Sequence, residues 1–429
     1  MQTLKRFKST QFNQLLEYLY NLQRLGIKVG LEHTEQLLAE CGNPQTKFRS
    51  IHIAGTNGKG STAAMLFSIF KEAGYKVGLY TSPHLLRFNE RIRVNGVPIA
   101  DTNIVDFVYS YKSAIERIQS TFFETTTALA FSYFAERKVD VAIIETGLGG
   151  RLDSTNVLMP EVTVITSITA DHTEILGNDL RKIAFEKGGI IKKSTPLILA
   201  QQIEKVEKVL LDIAVARNSK VTICKKDALT NFKLTQTGTF FEWENNKFKT
   251  TLIGEHQAYN AVLAIEATKV FDKEISGDTI AKGLNNTNWP GRLQLLSATE
   301  PVYYDVAHNP NGIKVIINTL AKIFTNKPIG LMALKAEKEL AKIAPMLKNN
   351  FARLIVTSLP HSGLMEASAL QRVLVKYGIH AESETDITKA FQIIRQGTAN
   401  TVPGIIFGSH YIGKAVFEKF GFSFDNGVI

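Results

Sequence analysis

Ser50-Ile51-His52-Ile53-Ala54-Gly55-Thr56-Asn57-Gly58-Lys59-Gly60-Ser61-Thr62 is the stretch on which the reading of this chain turns. A short β-branched apolar run enters a glycine-rich turn, and an apolar helical pattern follows it. Glycines let the backbone curl so that several N–H groups point inward at one anion. The helix N-terminus adds a partial positive charge there, and Lys59 adds a full one. The loop differs from the GxxxxGK[ST] pattern because Gly60 stands between the lysine and the hydroxyl of Ser61. Strand, loop and helix in this order predict a triphosphate site at Gly55, Thr56, Asn57, Gly58, Lys59, Gly60 and Ser61.

Outward from this loop, short apolar runs alternate with longer helical periodicity, which predicts an α/β domain on a mostly parallel sheet. Expected strands are Ile51 to Ala54, Val77 to Tyr80, Val139 to Glu145, Val162 to Ser167, Leu197 to Ala200 and Val221 to Cys224. Helical stretches lie between them, such as Ser61 to Lys71, Thr125 to Arg137 and Ile203 to Ala216. Residues 232 to 252 alternate around an Asn-Asn turn and read as an appended antiparallel segment, followed by a helix from Gln257 to Phe271. Beyond Trp289-Pro290-Gly291 a second α/β set begins, with strands at Val302 to Asp305, Ile329 to Met332, Leu354 to Thr357 and Ile405 to Phe407. Its helices are expected near 310–323, 336–348, 366–377 and 387–396. The expected division is a nucleotide-binding domain over 1–295, opened by an amphipathic helix, and a smaller α/β domain over 296–429.

The totals narrow the class. A chain of 429 residues is long for one core. Its composition, 44% hydrophobic and 21% charged, is that of a folded globular protein. No stretch approaches the roughly 20 apolar residues of a membrane span, and the N-terminus lacks a secretory h-region, so a cytoplasmic protein without a membrane partner is expected. Two cysteines, Cys41 and Cys224, stand far apart, which fits a reducing compartment and excludes a Cys-based zinc site. The net charge of +10 is spread over short pairs such as Lys192-Lys193. Anionic small molecules account for it as well as a polynucleotide does, and no nucleic-acid partner is expected.

The loop and four later motifs resemble the folylpolyglutamate synthase and dihydrofolate synthase family, relatives of the muramyl peptide ligases. The second motif is Tyr80-Thr81-Ser82-Pro83-His84-Leu85, continued by Arg87-Phe88-Asn89-Glu90-Arg91-Ile92. The third is Glu145-Thr146-Gly147-Leu148-Gly149-Gly150-Arg151-Leu152-Asp153-Ser154-Thr155-Asn156. The fourth joins Asp171-His172-Thr173 to Phe185-Glu186-Lys187-Gly188-Gly189-Ile190, and the last joins Trp289-Pro290-Gly291-Arg292 to Asp305-Val306-Ala307-His308-Asn309-Pro310. They stand in family order across about three quarters of the chain. The pattern departs near Leu334 to Glu339, where the family often carries Asp-Lys-Asp and this chain has Ala-Glu-Lys-Glu; similarity returns at Gly408-Ser409-His410-Tyr411.

The resemblance implies ATP as the nucleotide and two magnesium ions. It assigns Ser82 and Glu145 to the first ion, and a carboxylate at the end of an apolar strand is where a nucleotide crevice forms. His172 would ligate the second. A lysine ammonium beside Mg²⁺ is chemically awkward, and in the family the residue matching Lys187 is carbamylated, which makes it a carboxylate. Lys59, Glu145, His172 and Lys187 thus form the implied catalytic group. Asn260, Arg292 and Asp305 resemble ATP contacts. Thr121-Phe122-Phe123-Glu124 and Leu152-Asp153-Ser154 match segments that line the pterin site, where Phe123 is either a stacking ring or core. His308 and Ser409 match residues that hold glutamate.

The implied reaction joins L-glutamate to a folate or dihydropteroate carboxylate through an acyl phosphate, on a monomer. Arg151-Leu152-Asp153 looks like the sequence of members that use both acceptors. A muramyl amino acid ligase of cell-wall synthesis is disfavoured by Gly60 and by the Thr-Ser-Pro-His-Leu loop. A GTPase lacks its Asn-Lys-x-Asp motif here, and an ATP-binding regulator would release no glutamate-dependent ADP.

Overall fold

The apolar run that enters the glycine turn forms strand β1 (Arg49–Ala54) of the computed structural model, which describes residues 2–25, 30–170, 177, 179–297, 299–335, 340–360, 362–398 and 402–422. Seven strands join it in one sheet: β2 (Val77–Tyr80), β3 (Ile92–Val94), β4 (Val97–Pro98), β5 (Val141–Glu145), β6 (Val162–Ile165), β7 (Leu197–Ala200) and β8 (Val221–Cys224). Their order is β4-β3-β2-β5-β1-β6-β7-β8. The five pairs that run from β2 to β8 are parallel, and the β3–β4 hairpin adds an antiparallel edge to β2. The chain passes from β1 to one side of the sheet through β2 and β5, then to the other through β6. The strand order therefore switches beside β1, and the crevice beyond its C-terminal end is where an α/β sheet binds ligands.

Helix Lys59–Glu72 leaves the glycine turn and is buried continuously from Gly60 to Phe70. A helix that is apolar on nearly every face belongs inside a core. Two apolar clusters cover the sheet. One is built around Phe88, Phe131, Phe134 and Ile144, and the other around Ile165, Ile183, Leu197 and Leu210. The N-terminal amphipathic stretch is helical over Gln2–Asn21, and Leu15 and Leu19 enter the first cluster.

The described residues separate into two compact units. One runs through Leu229 and includes Tyr259–Leu284; the other comprises Thr230–Ala258 and the residues from Asn285 on. The second unit contains the antiparallel sheet of β9 (Thr230–Thr235), β10 (Gly238–Trp243) and β11 (Asn246–Thr250). Leu234 and Ile253 pack with that unit's core, which explains the grouping. The turn between β10 and β11 is Glu244-Asn245, both at positive φ, while Asn246 pairs with Trp243. The Asn-Asn turn expected from sequence is thus displaced by one residue, because positive φ at both central positions is what a two-residue hairpin needs.

The rest of the second unit carries β12 (Gln294–Leu295), β13 (Val302–Tyr304), β14 (Ile329–Met332), β15 (Arg353–Val356), β16 (Glu382–Ser383) and β17 (Gly404–Phe407). They lie in the order β12-β13-β17-β14-β15-β16, parallel except for the β12–β13 pair. Helices Pro310–Ile323, Leu340–Leu347, Ala367–Lys376 and Ile387–Gly397 fall at the expected places. Residues 336–339, where the sequence departs from the family pattern, lie outside the described residues.

Candidate active site

The glycine turn is pinned from both sides. Thr56 and Asn57 donate their backbone N–H to the Ser167 carbonyl at 2.9 and 3.4 Å, so the loop is tied to the segment after β6. Thr56 Oγ1 completes the tie by donating to the Thr169 carbonyl at 3.0 Å and accepting from Thr169 N at 3.1 Å. Gly58 precedes the first helical residue with φ of 95°, a left-handed conformation that costs an L-side chain dear. A Cβ there would also fall 2.4 Å from Oδ1 of Asn260, which shows how closely that side chain lies against the turn. Asn260 is buried and sits one and a half turns into helix Glu255–Phe271 rather than at its start.

Lys59 folds back over the turn. Its Nζ donates to the carbonyls of Gly55 and Thr56 at 3.2 and 3.3 Å and lies 3.9 Å from Oε1 of Glu145. Register puts Glu145 opposite Ile53, so the carboxylate stands at the C-terminal edge beside the phosphate loop. Its other oxygen accepts from Ser82 N at 3.4 Å. The three residues expected to serve phosphate and the first metal ion, Lys59, Glu145 and Ser82, therefore converge at one strand edge. Lys187, buried in helix Leu180–Gly188, donates from Nζ to the Gly55 carbonyl at 2.8 Å, the same carbonyl that Lys59 meets. His172 lies outside the described residues.

The Ser82 loop has its own scaffold. The Glu90 carboxylate accepts three successive backbone N–H groups, from Leu85, Leu86 and Arg87, at 2.9, 2.9 and 2.7 Å. Asn89 Nδ2 donates to the Ile99 carbonyl and to Asp101, and so anchors the same segment to the β3–β4 hairpin region. The motif as a sequence assigns Glu90 no role; three N–H donors on one acid are visible only in the fold.

The segment matching the pterin site divides its work. Thr121 and Glu124 form a reciprocal cap on helix Phe122–Glu136. Phe122 is core, stacked on Tyr20 with ring centroids 5.6 Å apart and edge-on to Phe88. Phe123 is half-buried, tilted against Tyr80, with its ring end over Gly147, where a Cβ would fall 2.3 Å from Cζ. Asp153, next to Leu152 and Ser154, is a buried carboxylate that accepts from Leu148 N at 2.8 Å, Thr155 N at 3.0 Å and Thr155 Oγ1 at 2.5 Å. Burial pushes its pKa up, against the pull of those donors.

Thr155 Oγ1 is also 2.8 Å from Nε2 of His52, in the middle of β1. Since the threonine proton goes to Asp153, His52 must supply its own Nε2–H, and Nδ1 is left with no partner. Burial, reinforced by Lys192, lowers the His52 pKa to about 3 and keeps the ring neutral. A histidine inside an apolar strand was the only sequence sign of this chain of bonds, which links the strand under the phosphate loop to the loop after Glu145.

In the second unit, Asp305 accepts from Leu293 N at 2.8 Å and Ala307 N at 2.7 Å, and burial raises its pKa while Arg292 opposes the shift. Burial and then Arg292 lower His256 to about 4. His308 Nδ1 donates to the Val306 carbonyl at 3.0 Å. Ser409 is buried and its Oγ accepts from Tyr411 N at 3.1 Å.

Comparison with known proteins gives a consistent picture. The family description "Mur ligase middle domain" matches residues 53–268, and "Mur ligase, glutamate ligase domain" matches residues 291–407. The chain is 41% identical over 341 residues to the dihydrofolate synthase/folylpolyglutamate synthase of Bacillus subtilis, covering 75% of this chain and 79% of that one. It is 33% identical over 425 residues to the folylpolyglutamate synthase of Lacticaseibacillus casei, covering 94% and 97%. Among solved structures, Mycobacterium tuberculosis folylpolyglutamate synthase complexed with ADP and AMPPCP superposes with a TM-score of 0.87 at 29% identity, over 96% of this chain and 99% of that one. Escherichia coli FolC in complex with DHPP and ADP gives 0.82 at 29% identity, over 94% and 97%.

Proposed function

Because the chain belongs to the folylpolyglutamate synthase/dihydrofolate synthase family of ATP-dependent Mur ligases, we propose that it joins L-glutamate to a dihydropteroate or folate carboxylate through an acyl phosphate. The observation that carries the reading is the meeting of Lys59 with Glu145 at 3.9 Å, beside a glycine turn whose helix N-terminus faces the same edge. The acceptor carboxylate attacks the γ-phosphorus of ATP, forming the acyl–O–P bond and releasing ADP. The amine of glutamate then adds to the acyl carbon, loses its proton, and the tetrahedral adduct expels inorganic phosphate.

Lys59 offsets the repulsion between a carboxylate and a polyphosphate, and the N–H groups of the first helical turn hold the phosphates, since those of Thr56 and Asn57 are given to the Ser167 carbonyl. Holding three substrates in line contributes much of the rate, on the order of 7–11 kcal/mol in well-oriented systems. Magnesium fits the donor chemistry here: Glu145 offers a carboxylate and Ser82 a hydroxyl next to the phosphate loop, the hard oxygens that this ion takes alongside phosphate. When bound it would withdraw charge from the phosphoryl oxygens. The resemblance adds His172 and a carbamylated Lys187 for a second ion. A carbamate made from the Lys187 amine and CO₂ keeps one N–H, so its bond to the Gly55 carbonyl is compatible with the modification.

The reading divides the chain at residue 295. It gives glutamate to His308 and Ser409, and it adds Arg292 and Asp305, one on each side of that boundary, to the contacts of the nucleotide. It extends to both acceptors, to a monomer, and to a cytoplasmic place with no nucleic-acid or membrane partner. Dispersed charge supports this, as does the finding that no helix among the described residues is long and apolar enough to cross a membrane. The test is ADP release by the purified protein with MgATP, L-glutamate and, in parallel, dihydropteroate or tetrahydrofolate. ADP should form only when glutamate and an acceptor are both present; release that ignores glutamate would refute the assignment.

A further inference from the structure

Arg91 closes the motif Arg87-Phe88-Asn89-Glu90-Arg91, to which the ligase reading assigns no part. It is only 8% exposed. Its Nε donates to Nδ1 of His84 at 2.9 Å, and its guanidinium carbon lies 5.3 Å from the centre of the Phe122 ring. Among the described residues, neither Nη group donates to the protein and no carboxylate lies within ion-pair distance of it. The adjacent acid is not available, because Glu90 is committed to three backbone N–H groups.

A guanidinium keeps its proton at neutral pH, so a buried one without an anionic partner carries a standing desolvation cost. Burial lowers its pKa, with Tyr80, Tyr20, Glu145 and Glu90 acting against that in decreasing order. Its position is informative. The Arg91 carbonyl accepts from Thr81 N at 3.0 Å and Ile92 pairs with Tyr80, so the side chain springs from the C-terminal edge of the sheet, beside the Ser82 loop. It is close enough to Glu145 to feel its charge, and Phe122 beneath it leads directly into Phe123.

We propose that Arg91 is the anchor for a carboxylate of the acceptor substrate, with its two Nη groups as a bidentate fork. This rests on the ligase reading above and adds to it a binding residue. The fork geometry of arginine matches a carboxylate oxygen pair, and a charge-assisted pair in a dry site is among the stronger polar contacts. The ring of Phe122 lies against the guanidinium, and the bond to His84 uses Nε, so that among the described residues the Nη edge has no protein acceptor. The ligand class is therefore an aromatic or aliphatic organic carboxylate presented at the sheet edge.

The test compares dihydropteroate with its carboxamide, a neutral molecule of the same shape, by calorimetric titration in the presence of ADP. The wild-type protein should favour the carboxylate, and Arg91→Met should shrink that preference roughly 10- to 100-fold while leaving ADP affinity unchanged. Arg91→Lys, which keeps the charge without the fork, should fall between them and serves if the methionine variant does not fold. The melting temperature separates anchoring from scaffolding: removing a buried cation that has no ion partner among the described residues should leave it unchanged or raised. An unaltered carboxylate preference, or a lowered melting temperature with that preference intact, would overturn the assignment of Arg91 alone. A wild-type protein that binds neither molecule would overturn the ligase reading and this anchor with it.

Discussion

Replacing His52 by Gln should flatten the acid side of the stability curve by a predictable amount. His52 is neutral in the fold, its pKa pushed down to about 3, whereas an unfolded histidine titrates near 6.5. Its folded pKa is depressed, so between those two values the unfolded chain binds the extra proton. The neutral ring's contribution to stability is full above pH 6.5 and is lost as pH falls toward 3. From pH 7 to pH 5 the loss depends almost wholly on the unfolded value and comes to about 2 kcal/mol. Glutamine keeps an N–H within reach of Thr155 but has nothing to titrate. Urea unfolding followed by far-ultraviolet circular dichroism at the two pH values measures the difference. The wild-type protein should lose about 2 kcal/mol more than the variant over that interval. Equal losses, within about 0.5 kcal/mol, would mean that His52 is not a buried neutral ring and that its bond to Thr155 is misread.

Thr155→Val keeps the shape but strips the hydroxyl shared by His52 and Asp153, and should cost about 2–4 kcal/mol in urea unfolding, whereas Thr155→Ser should cost about 1 kcal/mol. Gly58→Ala must adopt φ near 95° and meet Asn260, so it should lose about 1–2 kcal/mol of stability and weaken binding of a fluorescent ADP analogue; adding Asn260→Ala should recover only the steric part. Lys59→Met should reduce kcat by about 100-fold or more with circular dichroism unchanged, and near-normal turnover would remove Lys59 from the chemistry.

The sheet and its crevice were legible because each strand of the first unit is a short β-branched run and each crossover helix has its own apolar periodicity. The edge hairpin β3–β4 was not, since Ile92-Arg93-Val94 carries an arginine that a half-buried strand seldom tolerates; here Arg93 is buried and donates to the Gly96 carbonyl at 2.9 Å. The glycine turn between β1 and its helix could be placed from sequence because glycine and lysine at that spacing after an apolar strand have few other uses. The supports of the site could not. Glu90, His52 and Thr155 act through partners 2 to 103 positions away, and nothing in the residues themselves tells which N–H, hydroxyl or carboxylate they will meet. The resemblance makes Asp153 a substrate residue, and in the fold its oxygens accept from N–H groups of the loop after Glu145.

The direct test of the ligation chemistry follows oxygen. Dihydropteroate labelled with ¹⁸O in both carboxylate positions is turned over with MgATP and glutamate, and the released inorganic phosphate is analysed by mass spectrometry. An acyl phosphate formed at the Lys59–Glu145 edge predicts one ¹⁸O in each phosphate for every amide made. Unlabelled phosphate released alongside new amide would contradict the account.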